Sequence, residues 1–166
     1  DQAIAYAEAI NAKNIHIMAG VAKGKKAESC FIDNLSYATD AKKDAIFLIE
    51  PLNYFDAPGY LLNSTQQARR IIKAVNRPNL KLMFDCYHVQ ILEGDLIDQL
   101  NANIDIIGHI QFAGVPSRSR PDKGKVNYEH IFAHIANLGY TAPLGAEYKP
   151  EHGDTDSSLG WMDTFC

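Results

Sequence analysis

Residues 45–50 read AIFLIE, an unbroken apolar run closed by the carboxylate of Glu50. So short a run without polar alternation suits a strand covered on both faces, as in a parallel sheet flanked by helices. Working outward, the same construction recurs. LKLMFD at 80–85 ends on Asp85, IIGHIQ at 106–111 on Gln111 and PLGAE at 143–147 on Glu147. The four oxygen-bearing residues return at intervals of roughly 30 residues, the length of one β/α unit in an eight-fold barrel. Parallel strands that all end on one rim would bring these groups together, where hard oxygen ligands can hold a divalent cation.

The segments between the runs have helical periodicity. DQAIAYAEAINAKN (1–14) sets Ala3, Ala7 and Ile10 on one face and precedes a short strand, NIHIMAG, at 14–20. CFIDNLSYATDAKKD (30–44) aligns Phe31, Leu35 and Ala38 ahead of AIFLIE. Ser64 and Gln67 have capping-box spacing before TQQARRIIKAVN (65–76), with Pro78 just beyond its end. EGDLIDQLNAN (93–103) precedes the strand IDIIGHIQFA (104–113), and NYEHIFAHIANL (127–138), stopped by Gly139, precedes PLGAEY (143–148). The order is α/β with a helix before each of five strands, which means a parallel sheet.

Two parallel architectures compete. A doubly wound sheet gathers ligands at a switch point, so four consecutive strands could hardly all contribute. A (β/α)8 TIM-barrel curves its strand ends around a common axis, where each can reach the centre. The barrel is the expectation, but five units do not complete eight. The chain also opens at Asp1 directly into an amphipathic pattern, as a piece of something longer would. Residues 1–166 are therefore read as one partial-barrel domain. Its two open edges would need cover, from a homo-oligomeric partner or from an N-terminal segment.

Composition excludes several function classes. With 16 Lys plus Arg against 20 Asp plus Glu and a net charge of −4, no basic excess is available to neutralise phosphates, so nucleic acid is not an expected partner. The expected partner is a small hydroxy- or keto-acid. The three cysteines, Cys30, Cys86 and Cys166, lack CxxC spacing and read as reduced thiols of a cytoplasmic protein. No apolar run approaches the roughly 20 residues that span a bilayer, so no membrane role is expected.

Glu50 and Glu147, opposed across a barrel mouth, could share a cation and exchange protons with a substrate. Taken singly, each acid is equally readable as a helix cap or a lysine partner. Asp85 and His88 in D-C-Y-H can place a carboxylate and an imidazole on one site. His109 and Gln111, two apart on one strand, share a face, so both point inward or neither does. The segment GVPSRSRPDKGK (114–125) reads as a mobile substrate loop whose Arg118 and Arg120 could pair with a substrate carboxylate. His16, placed near the start of its strand, and His130, His134 and His152 read as structural or exposed.

Taken as a set, IEPLN (49–53), FDCYHVQ, GHIQFA with the following Pro116, Arg118 and KVNY, and AEYKP resemble the hydroxypyruvate isomerase family of the xylose isomerase-like barrels. The likeness runs over nearly the whole chain and corresponds to strands four to eight, without the first three. It implies that Glu50, Asp85, Gln111 and Glu147 are divalent-metal ligands, with Glu50 and Glu147 as the proton-transfer pair and His88, His109 and Arg118 as substrate contacts. The chain departs from the family's A-D-x-P-G-R stretch at Ala113–Arg118.

The activity that follows as an expectation is interconversion of hydroxypyruvate and 2-hydroxy-3-oxopropanoate through an enediolate, with Mg2+ or Mn2+ and no nucleotide cofactor. A keto-sugar epimerase would use the same groups on a longer substrate. A non-catalytic fragment or binding scaffold is the alternative of another class.

Overall fold

The computed structural model describes residues 1–165. Cys166 lies outside the described residues; Cys30 is a free exposed thiol and Cys86 a free buried one. Helices and strands alternate as α1 (Gln2–Ala9), β1 (Asn14–His16), α2 (Gly24–Ala41), β2 (Ile46–Ile49), α3 (Thr65–Val75) and β3 (Leu80–Asp85). They continue through α4 (Cys86–Leu92), α5 (Leu96–Asn103), β4 (Ile107–Phe112), α6 (Tyr128–Asn137) and β5 (Leu144–Ala146). Two 3-10 turns and a short helix α7 (Met162–Phe165) follow. The five strands form one parallel sheet in the order β1-β2-β3-β4-β5, the arc of a partial (β/α)8 barrel. No helix among the described residues is long and apolar enough to cross a membrane.

Three boundaries differ from expectation. Strand β1 ends at His16 instead of running to Gly20, so His16 closes its strand and does not open it. Helix α2 begins at Gly24, well before Cys30. Helix α4, which sequence periodicity does not announce, starts directly from β3 because Asp85 caps it: its Oδ1 accepts the Tyr87 N–H at 2.8 Å.

The helix-facing side of the sheet forms the core. Phe47 and Ile49 from β2, Leu80, Leu82 and Phe84 from β3, and Ile110 and Phe112 from β4 pack with Phe31 and Leu35 of α2 and Ala68, Ile71 and Val75 of α3. Helix α3 starts as expected at Ser64, whose hydroxyl accepts the Gln67 N–H at 3.1 Å. It ends at Asn76, which adopts the left-handed conformation, with Pro78 following.

A register shift between β3 and β4 decides where the chemistry points. Leu82 pairs with Ile107, but Met83 pairs with His109, so Gly108 is the extra residue of a bulge. A Cβ at position 108 would come within 2.5 Å of Lys81 Cβ and 2.9 Å of Leu48 Cδ2, so only glycine fits there. Beyond the bulge Asp85 lies opposite Gln111. An unbroken ladder would have set it against Ile110 and turned Gln111 outward.

Candidate metal centre and proton-transfer site

Each strand delivers one polar residue to the same rim. His16 ends β1, Glu50 follows β2, Asp85 ends β3, Gln111 lies near the end of β4, and Glu147 follows β5. The Glu147 N–H, bonded to the Phe112 carbonyl at 3.1 Å, extends the ladder up to that residue. His16, Glu50, Gln111 and Glu147, with His88 and Arg118, line a cavity of about 320 Å3. Asp85 adjoins it, its Oδ2 3.8 Å from both His88 Nε2 and Arg118 Nη2. Of the four expected residues, Glu50, Gln111 and Glu147 thus line one cavity and Asp85 stands beside it.

Several of these groups are buried and lack a protein partner. Glu50 Oε1, Asp85 Oδ2, Gln111 Oε1 and His16 Nε2 are buried without a hydrogen bond. An orphaned buried carboxylate oxygen costs stability unless something else satisfies it. Glu50 is 5% exposed and Asp85 1%, whereas the Glu147 side chain is half exposed. Burial, reinforced by the charges of Asp85 and Glu147, pushes Glu50 up to about 8. Burial likewise raises Asp85 to about 7, against the opposing pull of the Tyr87 N–H and of Arg118. Two such acids can both stay ionised only beside a positive charge, and three hard oxygens with nothing to accept from fit a divalent cation. Glu50, Asp85 and His88 each offer a ligand atom, and these lie within 4.8 Å of one another.

Arg118 reaches the cavity from the loop after β4. This loop, expected to be mobile, is tied by paired backbone bonds between Gly114 and Ser119 and by the Lys125 N–H to the Val115 carbonyl. Arg118 holds a left-handed backbone conformation at φ 54. Its Nη2 lies 3.1 Å from Glu147 Oε1, and its guanidinium sits over the Tyr87 ring at 5.2 Å. Arg120, read from sequence as a second carboxylate clamp, is instead paired with Asp122 at 2.7 and 3.0 Å and does not line the cavity.

His88 is buried on α4, and burial, with Arg118 adding to it, lowers it to about 4, so it is neutral near pH 7. His109 does not line the cavity. Beyond the bulge it shares the inward face with Gln111, but two residues earlier on the strand; both abut Gly145, where a Cβ would stand 2.9 Å from His109 Nε2 and 3.4 Å from Gln111 Cγ. Sequence reasoning missed His16, whose Nε2 lies 3.6 Å from Glu50 Oε2, because its strand was drawn four residues too long. It also missed Asn53, fully buried just after Glu50 and bonded to His88. The available signal was a buriable amide inside the quoted IEPLN run.

Comparison with known proteins agrees with this fold. The family model described as "Xylose isomerase-like TIM barrel" matches residues 1–165. A 2-oxo-tetronate isomerase of Cupriavidus necator is 42% identical over 170 residues, covering 99% of this chain and 65% of that protein. Hydroxypyruvate isomerase of Escherichia coli is 38% identical over 169 residues, covering 98% and 65%. A crystal structure titled AP endonuclease, family 2, from Brucella melitensis superposes with a TM-score of 0.93 at 38% identity, covering 99% of this chain and 66% of that one. The chain thus spans just under two thirds of the length of these relatives. A D-psicose 3-epimerase at 21% identity and TM-score 0.75 shares the fold.

Proposed function

The chain belongs to the xylose isomerase-like TIM barrel family, and from that premise we propose that its rim catalyses isomerisation of a small 2-oxo acid by carboxylate-mediated proton transfer. The substrate is hydroxypyruvate, interconverted with 2-hydroxy-3-oxopropanoate. The observation that carries this reading is that unpartnered Glu50 Oε1 and Gln111 Oε1 belong to residues lining one cavity with Glu147, with unpartnered Asp85 Oδ2 adjoining it. The relatives from Cupriavidus necator and Escherichia coli, named for 2-oxo-tetronate and hydroxypyruvate, support the substrate class.

Glu50, Asp85, Gln111 and Glu147 would hold the cation; the set is all oxygen, which favours Mg2+ or Mn2+ over zinc. When bound, such an ion polarises the substrate's carbonyl and hydroxyl oxygens and offsets negative charge as it develops. One of Glu50 and Glu147 takes the C3 proton of hydroxypyruvate, giving an enediolate, the other gives a proton to C2, and the hydroxyl proton passes from O3 to O2, so that C3 becomes the aldehyde and C2 the alcohol. Arg118 offers a planar guanidinium to the substrate carboxylate, and His88 a ring nitrogen to a substrate oxygen.

The test is Glu50→Gln and Glu147→Gln, assayed for isomerisation and for solvent deuterium entering substrate. Each should lose about 10²- to 10⁴-fold in kcat, the usual contribution of a positioned acid or base. Near-normal turnover in both would refute the assignment. A keto-sugar epimerase remains the second reading, favoured by the shared fold with D-psicose 3-epimerase. A panel of three- to six-carbon substrates separates the two.

A further inference from the structure

His88 presents Nε2 toward Asp85 and the cavity, while its Nδ1 faces Asn53. Two groups of Asn53 approach that one nitrogen: the backbone N–H at 3.0 Å and the side-chain Nδ2 at 2.8 Å. The backbone group can only donate. The amide's orientation is set independently, because Asn53 Oδ1 accepts the N–H groups of Phe55 and Asp56, both at 3.0 Å, and Nδ2 also donates to Asp56 Oδ2 at 3.0 Å. Turning the amide over would break all of these contacts, so Nδ2 too is a donor toward the ring. Two donors converge on Nδ1, which must therefore supply a lone pair. In a neutral imidazole the single proton then sits on Nε2.

We propose that Asn53 is a positioning residue that fixes His88 as the Nε2–H tautomer, making it a hydrogen-bond donor into the cavity and not a ligand of the cation. With its lone pair occupied by a proton, Nε2 cannot coordinate, although its position beside Glu50 and Asp85 would otherwise suit a ligand. The ion is left to the oxygen donors. A substrate oxygen that gains negative charge then meets a preset N–H within a buried wall, and Asp56, which also lines the cavity, anchors the Asn53 amide. The catalytic consequence rests on the isomerase reading; the tautomer assignment does not.

The experiment is long-range 15N–1H correlation on the full chain labelled with 15N-histidine at pH 7.5, with the His88 signals identified by their loss in His88→Gln. The expected pattern is protonated Nε2 and unprotonated Nδ1, with no large Nε2 shift when Mg2+ is added. In Asn53→Asp an acceptor replaces the Nδ2 donor while the backbone N–H stays, so a fraction of protonated Nδ1 absent from wild type should appear. That variant should also lose at least tenfold in kcat for hydroxypyruvate, while Mn2+ affinity, read by calorimetry, stays within about threefold. A wild-type spectrum with protonated Nδ1, or a coordination shift at Nε2 with the ion, overturns the proposal even if the variant does not fold. If the wild-type pattern is as expected but no hydroxypyruvate is turned over, the failure belongs to the substrate assignment.

Discussion

Without a divalent cation, the folded chain should become less stable as pH rises from 6.5 to 8. Glu50, 5% exposed and pushed to about 8, keeps a proton that the unfolded chain, with an ordinary glutamate, has already released. Each pH unit across that interval then favours unfolding by roughly 1.4 kcal/mol, or about 2 kcal/mol over the interval. Asp85, pushed to about 7, adds to the loss in the lower part of the window. Below pH 6.5 the trend is opposed: His88, lowered to about 4, and His16, also lowered by burial, are neutral in the fold but protonate when unfolded. Their contribution is lost as pH falls, so the carboxylates are cleanest above 6.5. The assay is urea unfolding in chelator, followed by fluorescence of the buried Trp161, the chain's single tryptophan. Glu50→Gln should flatten the slope and be more stable than wild type at pH 8, and millimolar Mg2+ should flatten it in wild type. Stability that does not change with pH in chelator, or a Glu50→Gln chain weaker than wild type at pH 8, would refute the buried-acid argument.

Binding of Mn2+ near pH 7 in weak buffer should release about one proton, because the Glu50–Asp85 pair gives up its proton to the ion; calorimetry in buffers of different ionisation enthalpy measures it. Arg118→Lys keeps the charge but loses the planar fork, and steady-state kinetics should show KM raised about tenfold. Gly145→Ala puts a Cβ 2.9 Å from His109 Nε2, and urea unfolding should show a loss of about 1–3 kcal/mol. Leu35→Ala, on the fully buried face of α2, should cost about 2–5 kcal/mol by the same measurement.

The parallel arc was legible because β2 is apolar on both faces, β3 and β4 keep an apolar helix-facing side in Leu80, Leu82, Phe84, Ile110 and Phe112, and helix α3 keeps its period in Ala68, Ile71 and Val75. The rim acids were legible because a strand-closing position stands out in a short run. Sequence spacing did not reveal how deep His109 sits on β4 or what Arg120 pairs with in the following loop. Which inward residue reaches the cavity depends on the depth at which it sits, and Arg120 was captured by Asp122, a neighbour two residues away. The Gly108 bulge was also hidden, since nothing in GHIQ distinguishes a bulge glycine from an ordinary one until the Lys81 and Leu48 side chains crowd it. His16 and Asn53 were missed for a related reason: their roles depend on groups 34 and 35 residues away, Glu50 and His88.

Asp85 divides its two oxygens between different tasks: Oδ1 begins α4 through the Tyr87 N–H, and Oδ2 faces the cavity. The helix it starts carries His88 three residues on. Deleting this side chain therefore removes an electrostatic anchor and also loosens the mount of a neighbouring ring, so an alanine at this position could not tell one loss from the other. Asparagine can still begin a helix while lacking the charge, which makes Asp85→Asn the substitution that separates architecture from chemistry at the point where the two share one residue.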